Sequence, residues 1–395
     1  MSDCCDDDAY DLAVIGAGSA GFSAAITAAD EGAQVALIGH GTIGGTCVNV
    51  GCVPSKALIR AVETLHMAGV AGRFDGISAS AQVDDWQAVV RQKQALVDDL
   101  RQAKYSDILP AYEAVTYIEG QASFADDGAL QVDGKTIEAK KVIIATGSRP
   151  ALPSISGIKD VPYLTSTTAL EMETLPRSMM IIGAGYIGAE IAQIFARAGV
   201  EVMLISRRGL LPEAEPEISK ALTGYFADEG IEIVSGITYD RIEQGDDGVK
   251  LFLGGGKSVV AEKVMIASGR APNSDGMNLA AVGIDVSSRG GIKVDGRMRT
   301  SRENVYAAGD VTGSDQFVYM AAYGAKIAAK NAMNSNSFSY DNAVMPAVVF
   351  SDPQVASVGL TEAQANAAGF EVKTSVLSLD NVPRALAARD TRGLI

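Results

Sequence analysis

Residues 11–31 read DLAVIGAGSAGFSAAITAADE, and residues 179–192 read MMIIGAGYIGAEIA. Each begins as a short apolar strand, turns through Gly-x-Gly-x-x-Gly and continues as a helix of small residues. The first set of glycines is Gly16, Gly18 and Gly21; the second is Gly183, Gly185 and Gly188. In such a unit the first glycine allows the tight turn and the second lets a pyrophosphate approach the backbone. The third packs helix on strand, and the helix N-terminus attracts the anion. A lone glycine fingerprint is weak, because small residues also serve helix packing. Two copies in the same strand–turn–helix context are strong.

The repeat extends outward. A second strand follows each copy, VALIG at 35–39 and VMLIS at 202–206. Later strands end alike, in IIATGSRP at 143–150 and MIASGRAPN at 265–273. This is an internal duplication of a nucleotide-binding unit. A Pro-rich linker, RPALPSI at 149–155, separates the copies, and NVYAAGD at 304–310 is a further strand ending in glycine and a carboxylate. Trp86, Val89, Val90, Leu96, Val97 and Leu100 recur at helical spacing, so a helix is expected to end near Tyr105. From Asp341 the texture becomes strand, turn and helix.

Position 23 after the first glycine discriminates nucleotides, since an acid there holds an adenosine ribose hydroxyl. Neither copy has one: the residues are Gly39, followed by His40, and Ser206. Arg207 and Arg208 follow Ser206, and a cationic pair suits a 2′-phosphate, which points to NADPH over NADH. The alternative is a solvated basic turn.

Composition narrows the function. Among 395 residues there are only 4 cysteines and 2 histidines, His40 and His66. That is too few for a disulfide framework or a His-rich metal site. Glycine, at 42 residues, exceeds the usual ~7% and fits many close backbone approaches. The net charge of −15 argues against nucleic acid and anionic membrane as partners. The acidic start MSDCCDDD lacks the basic, apolar pattern of a signal peptide, and no apolar run is long enough to span a bilayer; a cytoplasmic protein is expected.

Two of the cysteines, Cys47 and Cys52, lie in GGTCVNVGCVPSK at 44–56. Four intervening residues at a helix start can bring two sulfurs within bonding reach, and a helix N-terminus with nearby Lys56 would stabilise a thiolate. The alternative is two buried structural cysteines.

With these motifs in place, the chain resembles the flavin-dependent pyridine nucleotide–disulfide oxidoreductases over nearly its whole length. The resemblance implies an α/β fold with two Rossmann-like dinucleotide-binding domains, for FAD and NADPH, and the start of an α+β interface domain that forms homodimers. The implied layout is an acidic tail at 1–9, the FAD domain at 10–150 and 273–340, the NADPH domain at 151–272, and the interface domain at 341–395. It further implies that Gly16, Gly18, Gly21, Gly45, Thr46, Ala122, Thr146, Gly147 and Asp310 contact FAD. Gly183, Gly185, Gly188, Gly269, Arg207 and Arg208 would contact the nicotinamide nucleotide, with Tyr186 as a lid over its pocket. Lys56 and Glu190 match an ion pair beside the flavin. Cys52 matches the thiol nearest the flavin, and Cys47 the outer, exchanging thiol.

Within the family the mercuric reductases are the nearest likeness. It rests on CVNVGCVPSK, AKY at 103–105, QFVY at 316–319 and DNVPRALAARDTRG at 380–393. Dihydrolipoamide dehydrogenases more often read CLNVGCIPSK, and glutathione reductases CVNVGCVPKK. This likeness implies Hg(II) thiolate as substrate, Cys47 and Cys52 as its ligands, and Tyr105 near the metal. Cys4 and Cys5 form a second candidate metal pair that could pass Hg(II) inward; the other reading is two thiols on an acidic tail. Reduction of a small or protein disulfide remains the alternative activity. A thiol-based metal buffer or redox-sensing flavoprotein is the alternative without turnover. The chain stops at Ile395 inside RGLI, which reads as a strand. In the family the interface domain continues and carries either a catalytic His-Glu pair or a terminal Cys-Cys pair. A chain ending here is expected to lack either pair and to dimerise poorly.

Overall fold

Unbroken apolar runs in two central strands build the molecule's two parallel sheets. The computed structural model describes residues 9–395; Cys4 and Cys5 lie outside them. Two units result. One takes residues 9–53, Ala95–Arg149 and Arg270–Asn342; the other takes Pro54–Gln94, Pro150–Gly269 and Ala343–Ile395.

In the first unit the sheet is parallel, in the order Val305–Ala307, Ala139–Ile144, β1 (Tyr10–Ile15), β2 (Val35–Gly39), β3 (Val115–Glu119). Successive side chains point to opposite faces, so β1 and β2 feed two cores at once. Leu12, Val14, Val35 and Leu37 pack with Phe22 and the alanines of α1 (Ser19–Asp30). Ala13, Ile15, Ala36 and Ile38 pack on the other face with Phe124, Leu130 and Val311. Ala24, Ala25 and Ala28 of α1 share the first of these cores with Ala325, Ala328, Ala329 and Ala332 of the helix Val318–Met333. Side chains this small let the two backbones approach closely.

The second unit repeats the plan. Its parallel order is Glu232–Ser235, β5 (Glu201–Ser206), β4 (Ser178–Ile182), Lys263–Ile266, Tyr163–Thr165. The duplication is conformational as well as sequential. Gly16 and Gly183 both have φ +117°, and a Cβ on either would collide with the carbonyl of Ala145 or Ala267. Each sits where the chain must turn hard out of a central strand, which only glycine does without strain.

The contact-defined units divide the chain differently from the linear layout read from the sequence. Helices α3 (Cys52–Gly69) and α4 (Trp86–Arg101) each begin in one unit and end in the other. Leu58, Val62, Trp86 and Val90 share a core with Met179, Ile181, Leu204 and Phe195 of the second nucleotide-binding unit. Residues 54–94 therefore belong by packing with 150–269. Beyond Ala343, the strands Pro346–Val349 and Val355–Val358 form an antiparallel hairpin, followed by the helix Glu362–Ala367. The RGLI segment is a correction: it forms no strand, only one isolated bridge, Ser378 to Leu394. Leu377 and Ile395 exchange two backbone hydrogen bonds, at 2.7 and 2.8 Å, and Leu379 donates to the Gly393 carbonyl at 3.2 Å, so the segment's partner is the short stretch 377–379 and not the edge of a sheet.

Three residues on one face of α5 (Tyr186–Arg197) fasten this last segment. Glu190 accepts from the Phe350 amide at 3.0 Å, and Gln193 exchanges two hydrogen bonds with the Asp352 backbone. The Arg197 guanidinium, 5% exposed, bonds both Glu229 and Asp352 at 2.7 Å. His66 lies 3.8 Å from Glu229 and 3.7 Å from Asp352. Burial and then the Arg197 charge hold its imidazole below the usual value, so the cations serving these carboxylates are Arg197 and Arg392, the latter 3.6 Å from Glu229 and 3.3 Å from Asp352. Replacing Arg197 by methionine removes the guanidinium that bonds buried Glu229 at 2.7 Å and leaves it the Gln193 amide at 3.0 Å and the more distant Arg392 at 3.6 Å. The expected loss is about 3 kcal/mol, read as a lower melting temperature. A melting curve identical to wild type would show that the network contributes nothing.

Among the described residues no helix is long and apolar enough to cross a membrane.

Candidate active site

The first glycine turn opens α1 at Gly18, whose backbone is extended, and no side chain caps the helix. The second opens α5 at Gly185 in nearly the same conformation, again without a side-chain cap. A Cβ on Gly185 would meet nothing within 4 Å. Each helix is 12 residues long and its first-turn N–H groups meet no capping side chain, so they and the helix dipole favour an anion there. Both turns therefore fit the pyrophosphate of a dinucleotide.

The cysteine loop lies against the first turn. Gly44 donates to the Ala17 carbonyl at 2.8 Å and pairs with Gly18 as an isolated bridge. Gly45 approaches so closely that a Cβ there would lie 2.7 Å from the Gly18 Cα. Cys47 and Thr46 fall in the short helix α2 (Gly45–Val50), and Cys52 opens α3. Both cysteines are half-buried. Asn49 fixes the loop: its amide donates to the Ile43 and Gly45 carbonyls at 2.9 Å and accepts from Arg101 at 3.1 Å.

Tyr105 closes the group. It sits in a π turn, Gln102–Ser106, that continues α4, and such turns re-aim side chains. Its hydroxyl is 3.0 Å from the Ser19 hydroxyl at the start of α1. Its ring meets Phe22 edge-on at 4.9 Å. Burial pushes the phenol up, the Ser19 hydrogen bond pulls it down, and the neighbouring Cys47 and Cys52 raise it further. Cys47 and Cys52 thus both lie within electrostatic reach of the Tyr105 hydroxyl.

Asp310, at the end of YAAGD, accepts from the Ser148 hydroxyl at 2.6 Å. That hydroxyl in turn accepts from the Arg270 guanidinium at 2.7 Å. Arg270 lies 3.7 Å from Asp310. Burial lowers the Arg270 guanidinium, and Asp310 and then Cys52 pull it back up. Arg270 is therefore a buried cation within electrostatic reach of Cys52. Sequence reading did not single out Ser148, Arg270, Asn49, Arg101 or Ser19. The signal for the first two was present in the paired strand endings GSRP and GRAPN.

The other expected residues are placed as follows. Lys56 bonds Glu190 at 2.7 Å and lies 4.5 Å from the centre of the Phe350 ring. Thr146 and Gly147 follow the strand Ala139–Ile144, where Asn273 bonds both. Ala122 is buried in a small antiparallel sheet, so only its backbone is available to a ligand. Tyr186 is the first residue of α5, with its phenol raised by burial and by Glu213. Gly269 has open space about it. Arg207 and Arg208 are exposed beyond β5, and they differ. Arg208 bonds Glu213 at 2.6 Å, whereas Arg207 lies near Tyr239.

Comparison with known proteins agrees with this geometry. Residues 10–329 match the pyridine nucleotide-disulphide oxidoreductase family, and residues 345–395 match its dimerisation domain. The chain is 44% identical to a mercuric reductase of Lysinibacillus sphaericus, over 98% of this chain and 71% of that protein. It is 46% identical to one of Bacillus cereus, over 98% of this chain and 61% of that protein. Among solved structures, the Cu(II) complex of the HOCl-induced flavoprotein disulfide reductase RclA of Escherichia coli superposes with a TM-score of 0.86. It is 31% identical, covering 98% of this chain and 85% of that one. The chain belongs to the pyridine nucleotide-disulphide oxidoreductase family, and it is an oxidoreductase whose family uses FAD and a pyridine nucleotide.

Proposed function

We propose that the chain reduces Hg(II) to Hg(0) with NADPH, through FAD and the Cys47/Cys52 pair, in a cytoplasmic protein that forms a homodimer through a complete interface domain. The observation that carries this reading is the grouping of Cys47, Cys52 and Tyr105 against the first glycine turn. The identity to mercuric reductases supports the choice of metal.

FAD, when bound, carries electrons from the nicotinamide to the cysteine pair. The first turn, with Gly45, Thr46, Thr146, Gly147, the Ala122 backbone and Asp310, would hold it. Gly183, Gly185, Gly188, Gly269 and Arg207 would hold NADPH, with Tyr186 over its pocket.

The protein's own part begins with thiolates. Arg270 favours the charged form of Cys52. Two thiolates suit Hg(II), a soft cation that prefers sulfur. Cys47 takes the metal from an external thiol, Cys52 completes the pair, and the Tyr105 hydroxyl, kept protonated, stands beside them. The net reaction oxidises NADPH to NADP⁺ and a proton while Hg(II) gains two electrons. The products need no protonated leaving thiol, so no histidine is required at this step.

Tyr105→Phe keeps the ring against Phe22 and removes only the hydroxyl. We expect turnover with Hg(II) to fall about tenfold, at about one hydrogen bond's worth of stabilisation. Reduction of the flavin by NADPH should be unchanged in stopped flow. Unchanged Hg(II) turnover would remove Tyr105 from the reaction.

Similarity to a flavoprotein disulfide reductase favours a second reading, in which a disulfide is the acceptor. FAD-loaded protein is expected to oxidise NADPH with Hg(II) in excess thiol. Turnover only with glutathione disulfide or lipoamide would establish the second reading instead.

A further inference from the structure

The first glycine turn lacks the acid that such turns use to hold an adenosine ribose, because β2 ends in Gly39. Another residue fills that place. In the pairing of β2 with the edge strand β3, Leu37 faces Tyr117 and Gly39 faces Glu119. Side chains at 37, 39 and 117 therefore share one face. The Tyr117 ring leans along that face past the end of β2. A Cβ built on Gly39 would lie 2.5 Å from the Tyr117 hydroxyl oxygen and 2.8 Å from its ring. It would also lie 2.8 Å from the Cβ of Ala17, inside the glycine turn. The hydroxyl thus occupies the root from which a side chain at 39 would project. Among the described residues this hydroxyl accepts and donates no hydrogen bond within the protein.

We propose that the Tyr117 hydroxyl hydrogen-bonds the adenosine ribose of the dinucleotide at the first turn, in place of a carboxylate on β2. This rests on the reading of that turn as the FAD site. Gly39 and Tyr117 then form one compensated unit: the tyrosine is useful because 39 has no side chain, and 39 must stay glycine because the tyrosine is there. The ribose diol both donates and accepts, and a phenol can meet either need. Burial and then Glu119 push the phenol up, which keeps the hydroxyl proton in place near neutral pH. A neutral oxygen holds a ribose less firmly than a carboxylate would.

The test measures binding rather than turnover. Apoprotein is titrated with FAD and with an FAD analogue whose adenosine lacks the 2′- and 3′-hydroxyls, following flavin fluorescence. Wild type is expected to bind the analogue about three- to tenfold more weakly than FAD. Tyr117→Phe keeps the ring, so its melting temperature should match wild type. It should bind FAD more weakly by the same factor and lose the preference over the analogue. The double variant Gly39→Glu with Tyr117→Val moves an oxygen back to β2 and should restore the preference. Gly39→Glu alone, which collides with the ring, should bind neither flavin well. Full preference retained by Tyr117→Phe, or no preference in wild type, would overturn the proposal. Failure of wild type to bind FAD at all would instead remove the FAD reading, and the proposal with it.

Discussion

Replacing either Cys47 or Cys52 by alanine is expected to lower Hg(II)-dependent NADPH oxidation by about a thousandfold while FAD stays bound. The size follows from how paired groups fail: when residues act as a unit, removing one costs nearly as much as removing both. A single remaining thiolate competes poorly with external thiols for a metal that binds two sulfurs. Retention of FAD follows from the architecture. The loop is pinned to the first turn by Gly44, Gly45 and Asn49, none of which depends on a cysteine side chain. The double variant should be no worse than either single one, which separates a working pair from two independent contributors. Flavin absorbance and metal-dependent turnover, measured on the same preparations, decide the matter. A single variant with turnover within tenfold of wild type would remove the pair from the reaction.

The second large effect concerns the choice of nicotinamide nucleotide. With Arg207 and Arg208 both replaced by alanine, the KM for NADPH is expected to rise about thirtyfold, and that for NADH less than twofold. A charge-assisted bond to a phosphate accounts for roughly 1.5–3 kcal/mol, or about ten- to a hundredfold. The two arginines should not contribute equally. Arg208 already pairs with Glu213 in an exposed contact, which offsets part of its attraction for a phosphate. Such a pair is weak, so Arg208 can still be recruited. Arg207 has no carboxylate at this distance among the described residues and should carry the larger part. Initial rates with both nucleotides for the two single variants and the double one give the answer. Equal rises for NADPH and NADH would show that the arginines do not read the 2′-phosphate.

These expectations draw unequally on sequence and structure. The glycine turns were fully legible, because their requirements are local: an apolar strand, a glycine at φ +117° and a helix start within a few residues. The cysteine loop was legible for the same reason. Its residues are consecutive, and its two sulfurs sit on adjoining helices, one of 6 residues and one of 18. The end of the α4 helical pattern near Tyr105 could be read, but not the π turn that aims the ring at Phe22 and the hydroxyl at Ser19.

Sequence alone determined that the chain carries two dinucleotide-binding units, a cysteine pair beside the first, and an added segment after residue 341. Period, glycine placement and spacing fix such features over a few residues. Only the tertiary structure decided that residues 54–94 pack with the second unit, that Arg270 is a buried cation within electrostatic reach of Cys52, and that Arg208 is tied to Glu213. Only it shows that Tyr117 stands where Gly39 leaves room. Each of these depends on which side chains meet across a sheet or from distant parts of the chain. That is settled by packing and charge among residues up to hundreds of positions apart, and no local pattern records it.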